Sequence, residues 1–580
     1  MCGFLGLLSK ELDKRKIKKF LNVGNLLHHR GPDNTGTFKN KNLIFVHKRL
    51  SIVDIEGGIQ PIINSGCVLV ANGEIYNDLE LRNLLKDFKY KTNSDCETII
   101  AVYKKYGIKG FEKLRGMFSF AIYDKIKKEL ILSRDPFGIK PLYFFQDNNN
   151  FVFSSEIKPI IKSKLINKEL DKRKIVELVQ IQFNSGRKTI FKNISRIRPG
   201  ETLIIKDFKI IKSKIINIEN SKKKVVVSHK KLKDKLLESV YLHQRSDVPY
   251  GVFFSGGIDS TLVLYLMSLI NKKPIKAFNI FFKGMEKKNE NIGLLAKRFG
   301  ANLKSIEFSE NDFWNILPKS ISFMDDPVSD YAIIPTYKLA SVAKNHVKVV
   351  LTGEGGDELF AGYGRYRDNL RKMFRKGFLS KGILDKFHAE EGKKTKWDFD
   401  LSFVKSKIFD YDLTALQKDQ IFDYYEWLPN NILTKLDRCL MAHSIEGRTP
   451  LVDKDLFENF FFTTDESKIR NNYGKYCLRI FLNNEIPFYK AFSKKEGFTV
   501  PISEWIPKKS KILSDLLPKS KILNELLKPS KIKSLCMNTK NNKKNSIIVW
   551  RLLFFSIWFL IHHENIKDFG NSFDILENYN

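Results

Sequence analysis

Two short stretches bring reactive side chains together with glycine. In FFSGGIDST (253–261) an apolar strand pattern runs into Ser255-Gly256-Gly257, and a helix pattern begins near Ile258. Two glycines let the backbone approach a ligand closely. Their N–H groups, with the positive end of the new helix, make an anion site. Ser255 and Ser260 add hydroxyl donors. Asp259 would repel a phosphate unless a cation stands between them, so it reads as a Mg2+ ligand. The second stretch, LTGEGGDELFAGY (351–363), follows the apolar VKVVL and sets Glu354, Asp357 and Glu358 among glycines. Asp357 could share Mg2+ with Asp259, leaving Glu354 to take a proton. A third candidate is Cys2, directly behind Met1 in MCGFLG. Once Met1 is removed, the α-amine of Cys2, with an ordinary pKa of about 7.7–8.0, could accept the thiol proton and make the thiol a nucleophile. Each feature also has a bland reading: an ordinary junction, a solvated acidic turn, an incidental terminal residue. Taken alone, Cys2 would be the incidental one.

The elements that must position these residues fall into two textures. The first ~200 residues read as short strands with turns (NLIFVHKRLSIVD, GCVLVANGEIYN, MFSFAIYDKIKKELILSRD), interrupted by helices near 78–88 and 96–106. Thr92–Asp95 offers cap residues for the second helix. Asn72-Gly73 carries a hairpin-turn signal. From about Ser228 strand and helix alternate, which predicts an α/β region with a parallel sheet, and beyond ~370 the pattern is mostly helical. Both glycine stretches follow strands, so they should meet at one sheet edge, where ligands bind in such folds. The boundaries read as 2–212, a lysine-rich linker 213–227, and 228–570. The run 517–532, LPKSKILNELLKPSKI, is lysine-biased and reads as a surface excursion.

Composition narrows the class. The chain has 580 residues, enough for two large domains, and 43% hydrophobic content fits a soluble globular protein. The net charge of +35 invites a nucleic-acid reading, but the lysines are spread along the whole chain and no basic stretch is interleaved with aromatics in a recognition pattern. No nucleic-acid partner is expected. The six cysteines are scattered, which argues against a disulfide framework or a zinc site. SIIVWRLLFFSIWFLIHH is interrupted by Arg551 and reads as a buried amphipathic helix. No membrane segment or secretory signal is expected, and the compartment reads as cytoplasmic.

SGGIDS resembles the pyrophosphate loop of ATP pyrophosphatases. Together with LTGEGGDELFAGY it resembles the glutamine-hydrolysing asparagine synthetase family, and the likeness extends through HHRGPD, RLSIVD, NGEIYN, SDCET, RDPFGIKPLYF, LPNNILTKLDRCLMAHSIEGRTPLVDKDL and SKKEGFTVPISEW. These motifs cover nearly the whole chain in order. The resemblance implies an α+β N-terminal-nucleophile αββα sandwich, a class II glutamine amidotransferase domain. A parallel-sheet α/β ATP pyrophosphatase domain with a helical C-terminal part follows, and a tunnel carries ammonia between them.

The resemblance makes Cys2 the nucleophile and Asn72 with the Gly73 N–H the oxyanion hole. It carries glutamine contacts over to Arg49, Leu50, Ser51, Ile52, Val53, Asn72, Gly73, Glu74 and Asp95. ATP contacts fall on Phe253, Ser255, Gly256, Gly257, Asp259, Ser260, Ile280, Thr352 and Gly353; Phe253 and Thr352 stand where many members have leucine and serine. Metal ligands fall on Asp259 and Asp357, the base on Glu354, and a cation stabilising the departing pyrophosphate on Lys495. Asp437, Arg438 and Arg448 read as ion pairs shaping the site, or as purely structural. The expected substrates are glutamine, aspartate and ATP, with Mg2+, and a homodimer is compatible. The alternative acceptor is another carboxylate, such as a uronic acid of a surface polysaccharide.

Overall fold

The computed structural model describes residues 2–215, 227–368, 402–409, 412–493 and 500–579. The first part is built on two antiparallel sheets. One runs in the order Ser195–Arg196, Tyr143–Gln146, Asn150–Ser154, Gly3–Ser9, Leu43–Arg49, Asn34–Lys39. The other runs Lys209–Ile215, Glu201–Lys206, Glu129–Arg134, Gly116–Asp124, Cys67–Ile75, Ile62–Asn64. Alternate side chains of a strand face opposite ways, and here both faces are covered. Phe4, Leu43 and Phe45 cluster with Val68, Val70 and Leu132 of the other sheet. Their neighbours Leu5, Leu7, Ile44 and Val46 instead join Phe20 and Val23 of helix Lys14–Gly24 and Leu178 of helix Lys172–Ile181. On the second sheet, Leu69, Phe118 and Phe120 join Leu81 and Ile99 of helices Asp78–Leu84 and Glu97–Tyr106. This is the expected αββα sandwich.

The second part holds a parallel sheet in the order Ala301–Phe308, Ile275–Phe282, Tyr250–Phe253, Val349–Leu351, Glu446–Arg448. Strands Tyr250–Phe253 and Val349–Leu351 pair directly and in parallel. The loops that leave their C-terminal ends are therefore neighbours, as a switch-point site requires.

Helix Lys543–Trp558 continues as a wide turn to His563. It is long and apolar enough to cross a membrane, yet most of it is buried inside the protein. It is apolar nearly all round rather than amphipathic, as suits a core helix. Trp550 and Trp558 donate their indole N–H groups to Ser329 O and Met324 O, both at 2.7 Å. Arg551, which interrupts the apolar run, donates to Val179 O at 3.0 Å and to Gln180 O at 2.5 Å.

Three further local expectations are corrected. The run 517–532 is not a surface excursion: Leu517, Ile522, Leu523, Leu527 and Ile532 are buried in the largest core cluster. Helix Glu97–Tyr106 has no side-chain cap, because the Asp95 carboxylate accepts the Ile75 N–H at 2.7 Å instead. Asn72-Gly73 is no turn. Both residues lie within strand Cys67–Ile75, paired with Ser119 and Phe118.

Candidate active site

Cys2 stands directly before the strand Gly3–Ser9 and is buried, 7% exposed. Its nitrogen donates to Asn72 Oδ1 at 3.0 Å, so strand Cys67–Ile75 of the second sheet reaches across to the chain start. Asn72 Nδ2 is buried with no hydrogen-bond partner among the described residues. An orphaned amide donor is costly to bury, and a developing oxyanion would satisfy it. Gly73 is required by packing, since a Cβ there would stand 2.1 Å from Met117 O. Burial pushes the Cys2 thiol pKa up, against opposing pulls that include the Leu50 backbone and Arg49.

The carboxylates expected at the glutamine site are both buried. Cys96 lies within electrostatic reach of Asp95, Cys2 and Glu74 together, which puts the three in one cluster. Burial, and then Asp95, raise the Glu74 pKa well above the usual range, while Arg448 opposes. Glu74 Oε1 has no hydrogen-bond partner among the described residues. Arg49, one of the expected glutamine contacts, ends the strand Leu43–Arg49. It donates to Ile55 O at 2.8 Å, Val53 O at 3.1 Å and Asp54 O at 2.5 Å, bracing the loop after its own strand. Gly58 makes room for it, since a Cβ would sit 2.5 Å from Arg49 Nη2. Leu50 and Ile52 pack into a core cluster, with Val53 against it. Ser51 N–H donates to Asp33 Oδ2 at 2.8 Å.

The second site is one cavity of about 990 Å3. Phe253, Ser255, Gly256, Gly257, Asp259 and Ser260 line it from the first loop, Ile280 from the next strand, and Thr352, Gly353, Glu354 and Asp357 from the second loop. Ser255 Oγ and Ser260 Oγ lie 3.1 Å apart, closing the first loop on itself. The loops touch through glycine. A Cβ on Gly353 would stand 2.8 Å from Asp259 Cβ, and one on Gly356 would stand 2.3 Å from Asp259 Oδ1.

Lys475 was not singled out by the sequence. Its buried ammonium bonds Asp259 Oδ2 at 2.5 Å and Asp357 Oδ1 at 2.8 Å. Gly362 admits it, as a Cβ there would meet Lys475 Cε at 2.1 Å. The donor set fits Mg2+: two hard carboxylates beside a phosphate-type loop, in keeping with a metal that takes one or two carboxylates plus substrate phosphates. Lys475 marks the place between them where positive charge is stabilised. Lys495 lies outside the described residues.

The ion pairs in the helix block tie the two sites together. Arg30 donates to Cys2 O at 3.1 Å, to Asp437 at 2.8 and 3.0 Å, and to Glu156 at 3.0 Å. Arg438 donates to Asp325 at 3.0 Å and to Asp437 at 3.1 Å. Arg448 reaches Glu446 at 2.6 Å and Glu74 at 3.3 Å, while its carbonyl accepts the Thr352 N–H at 2.9 Å. One residue thus touches the carboxylate cluster near Cys2 with its side chain and the second loop with its backbone. Arg30 lies within the quoted HHRGPD, but only the folded chain reveals its partners.

The fold and these two sites define a glutamine amidotransferase joined to an ATP-dependent synthetase. The chain belongs to the asparagine synthase family. That family's profile, described as asparagine synthase, matches residues 231–560, and a glutamine amidotransferase domain profile matches residues 1–215. The chain is 32% identical to the glutamine-hydrolyzing asparagine synthetase 1 of Bacillus subtilis (strain 168), covering 97% of each chain. It is 31% identical to a putative glutamine-hydrolyzing asparagine synthetase of Mycobacterium tuberculosis (strain ATCC 25618 / H37Rv), over 83% of this chain and 84% of that one. It is 28% identical to the glutamine-hydrolyzing asparagine synthetase B of Escherichia coli (strain K12), over 87% and 83%.

Proposed function

We infer that the protein is a glutamine-dependent asparagine synthetase. It hydrolyses glutamine to glutamate and ammonia, adenylates the β-carboxylate of aspartate with ATP, and lets ammonia displace AMP to give asparagine. The observation that carries this reading is that one chain holds both sites, linked through Arg30 from the Cys2 carbonyl to Asp437.

At the first site Cys2, freed of Met1, attacks the glutamine amide carbon. Its own α-amine takes the thiol proton and passes it to the departing ammonia. Asn72 Nδ2 and the Gly73 N–H hold the tetrahedral oxyanion. Glu74 and Asp95 face the substrate ammonium, while Arg49 and the backbone of Leu50, Ser51, Ile52 and Val53 hold its carboxylate. Water then releases glutamate from the thioester.

At the second site Phe253 and Ile280 flank the adenosine, and Thr352 and Gly353 contact the nucleotide. Ser255, Gly256, Gly257 and Ser260 hold the departing pyrophosphate. Asp259 and Asp357 would hold Mg2+, which when bound supplies charge neutralisation at the phosphates. Lys495 stabilises negative charge on the pyrophosphate, and Glu354 takes a proton from the attacking ammonia. An internal passage carries ammonia between the sites. The domain limits are placed at 2–212 and 228–570, with the strand Lys209–Ile215 running past the first limit. The enzyme is read as cytoplasmic, acting on small molecules and compatible with a homodimer; the Lys543–Trp558 helix is mostly buried inside the protein, as suits a core helix.

The test is to incubate the purified protein with ATP, Mg2+, glutamine and aspartate, and to measure asparagine and pyrophosphate. Both should appear in equal amounts. Glutamine hydrolysis without asparagine would overturn the reading.

A further inference from the structure

The synthetase cavity holds charged groups beyond its two loops. Among them are Asp330 and Lys435, which both line it. Lys435 lies in helix Thr434–Met441, and its Nζ is 3.0 Å from Asp330 Oδ2. The other Asp330 oxygen accepts the Ala332 N–H at 2.9 Å, which fixes the carboxylate just ahead of helix Ile333–Ala343. The two side chains are only 11% and 13% exposed. Among the described residues, Asp330 is the one hydrogen-bonding partner of the Lys435 ammonium, so two of its N–H groups remain for a ligand. Glu354, on the second loop, lies within electrostatic reach of the same ammonium.

A buried ion pair is a weak stabilising device, because desolvation offsets the attraction. A pair serving only to tie a helix to a loop gains nothing from facing a cavity. Facing one does matter for reading a ligand that carries both charges. On the nucleotide side, Lys475 is already taken up by the two carboxylates Asp259 and Asp357.

We propose that Asp330 and Lys435 recognise the acceptor as a free α-amino acid: Lys435 takes its α-carboxylate and Asp330 its α-ammonium. The side-chain carboxylate is then left to face the nucleotide loops and Glu354. This rests on the asparagine synthetase reading and says how that acceptor is chosen. A uronic sugar or a plain dicarboxylic acid has no ammonium. It would set a second carboxylate beside Asp330 without the ammonium that offsets it, and a site built for a polar group rejects analogues that lack it by large factors.

The experiment follows carboxylate-dependent pyrophosphate release with aspartate and with succinate, in wild type, Asp330→Asn, Lys435→Met and Lys435→Arg. Glutamine hydrolysis in each preparation reports that the chain is folded. Asp330→Asn should raise the aspartate KM by about 10–100-fold and cut the preference for aspartate over succinate at least about tenfold. Lys435→Met should weaken both acids alike, and Lys435→Arg should recover most of the loss. An unchanged aspartate-to-succinate ratio in folded Asp330→Asn overturns the proposal. Should that variant not fold, wild type decides: succinate, lacking the ammonium, and β-alanine, lacking the α-carboxylate, must each compete with aspartate at least about tenfold more weakly than aspartate binds. Competition equal to aspartate overturns the proposal. The broader reading fails differently, by wild type releasing no pyrophosphate with aspartate at all.

Discussion

The guanidinium of Arg30 grips the Asp437 carboxylate with two nitrogens, at 2.8 and 3.0 Å, although the residues stand 407 positions apart. Both are buried, and the same guanidinium holds the Cys2 carbonyl. A planar fork suits this two-pronged bond, and a lysine would not replace it. The Asp437 pKa is lowered even though burial alone would raise it, because Arg30 lies so close. Arg30→Leu would leave a buried carboxylate with a weakened set of partners, at a cost of about 3–5 kcal/mol. The expected outcome is a lower thermal midpoint and more glutamate formed per asparagine. The double variant Arg30→Met/Asp437→Leu should regain most of the stability but not the ratio.

Removing the thiol separates the two chemistries. Cys2→Ala should abolish use of glutamine while leaving synthesis from added ammonium salts. Asn72→Ala should lower the rate of glutamine hydrolysis by about 10²–10³-fold, as loss of an oxyanion donor does elsewhere. Survival of glutamine-dependent synthesis in Cys2→Ala would rule out this role.

Gly356 allows the second loop to lie on Asp259. Gly356→Ala would push the two loops apart. A displacement near 1 Å at a reacting centre costs about 10²-fold in rate. Aspartate-dependent pyrophosphate release should fall by that order, with glutamine hydrolysis intact.

Lys475 occupies Asp259 and Asp357, so it would compete with a Mg2+ ion held by the proposed carboxylate pair. Lys475→Met removes a cation held at 2.8 Å or less from each carboxylate. Calorimetric Mg2+ affinity in the absence of nucleotide should tighten at least about tenfold. No change would mean that the two carboxylates do not serve a metal.

Glu426 is buried where the two parts meet, accepting the Gly186 N–H at 2.7 Å and the Asn430 side-chain amide at 2.9 Å. Burial pushes its pKa up to about 7. A carboxyl whose pKa is raised on folding binds more protons folded than unfolded between the two values. Its contribution is full below the ordinary carboxyl range and is lost as pH rises through about 7. Glu426→Gln should therefore stabilise the protein at pH 8 relative to wild type, by roughly 1–3 kcal/mol, with little gain at pH 4. The comparison of thermal midpoints at the two pH values checks the sign.

Much of the fold was legible because local pattern and global fold agree. SGGIDS and LTGEGGDEL each follow an apolar strand, and those strands pair, so the loops had to meet. Asn72-Gly73 misled because its turn propensity is local, while the neighbouring strand Gly116–Asp124 pairs straight across it. The run 517–532 misled because its lysines outnumber its charges of opposite sign, hiding leucines that the core takes up. Arg30, Lys475 and the Asp330–Lys435 pair could not be read at all. Their ion-pair partners lie 105 to 407 residues away, which only the closed fold supplies.

The central claim is that nitrogen freed at Cys2 is delivered to an acceptor activated at the Ser255–Ser260 loop. The most direct measurement supplies glutamine labelled with 15N in its amide, together with unlabelled ammonium, aspartate and ATP, and reads the isotope in the product. The account predicts asparagine carrying the glutamine label in its amide, with one pyrophosphate released for each. Asparagine that carries only nitrogen from solution, or ATP consumed without asparagine, would contradict it.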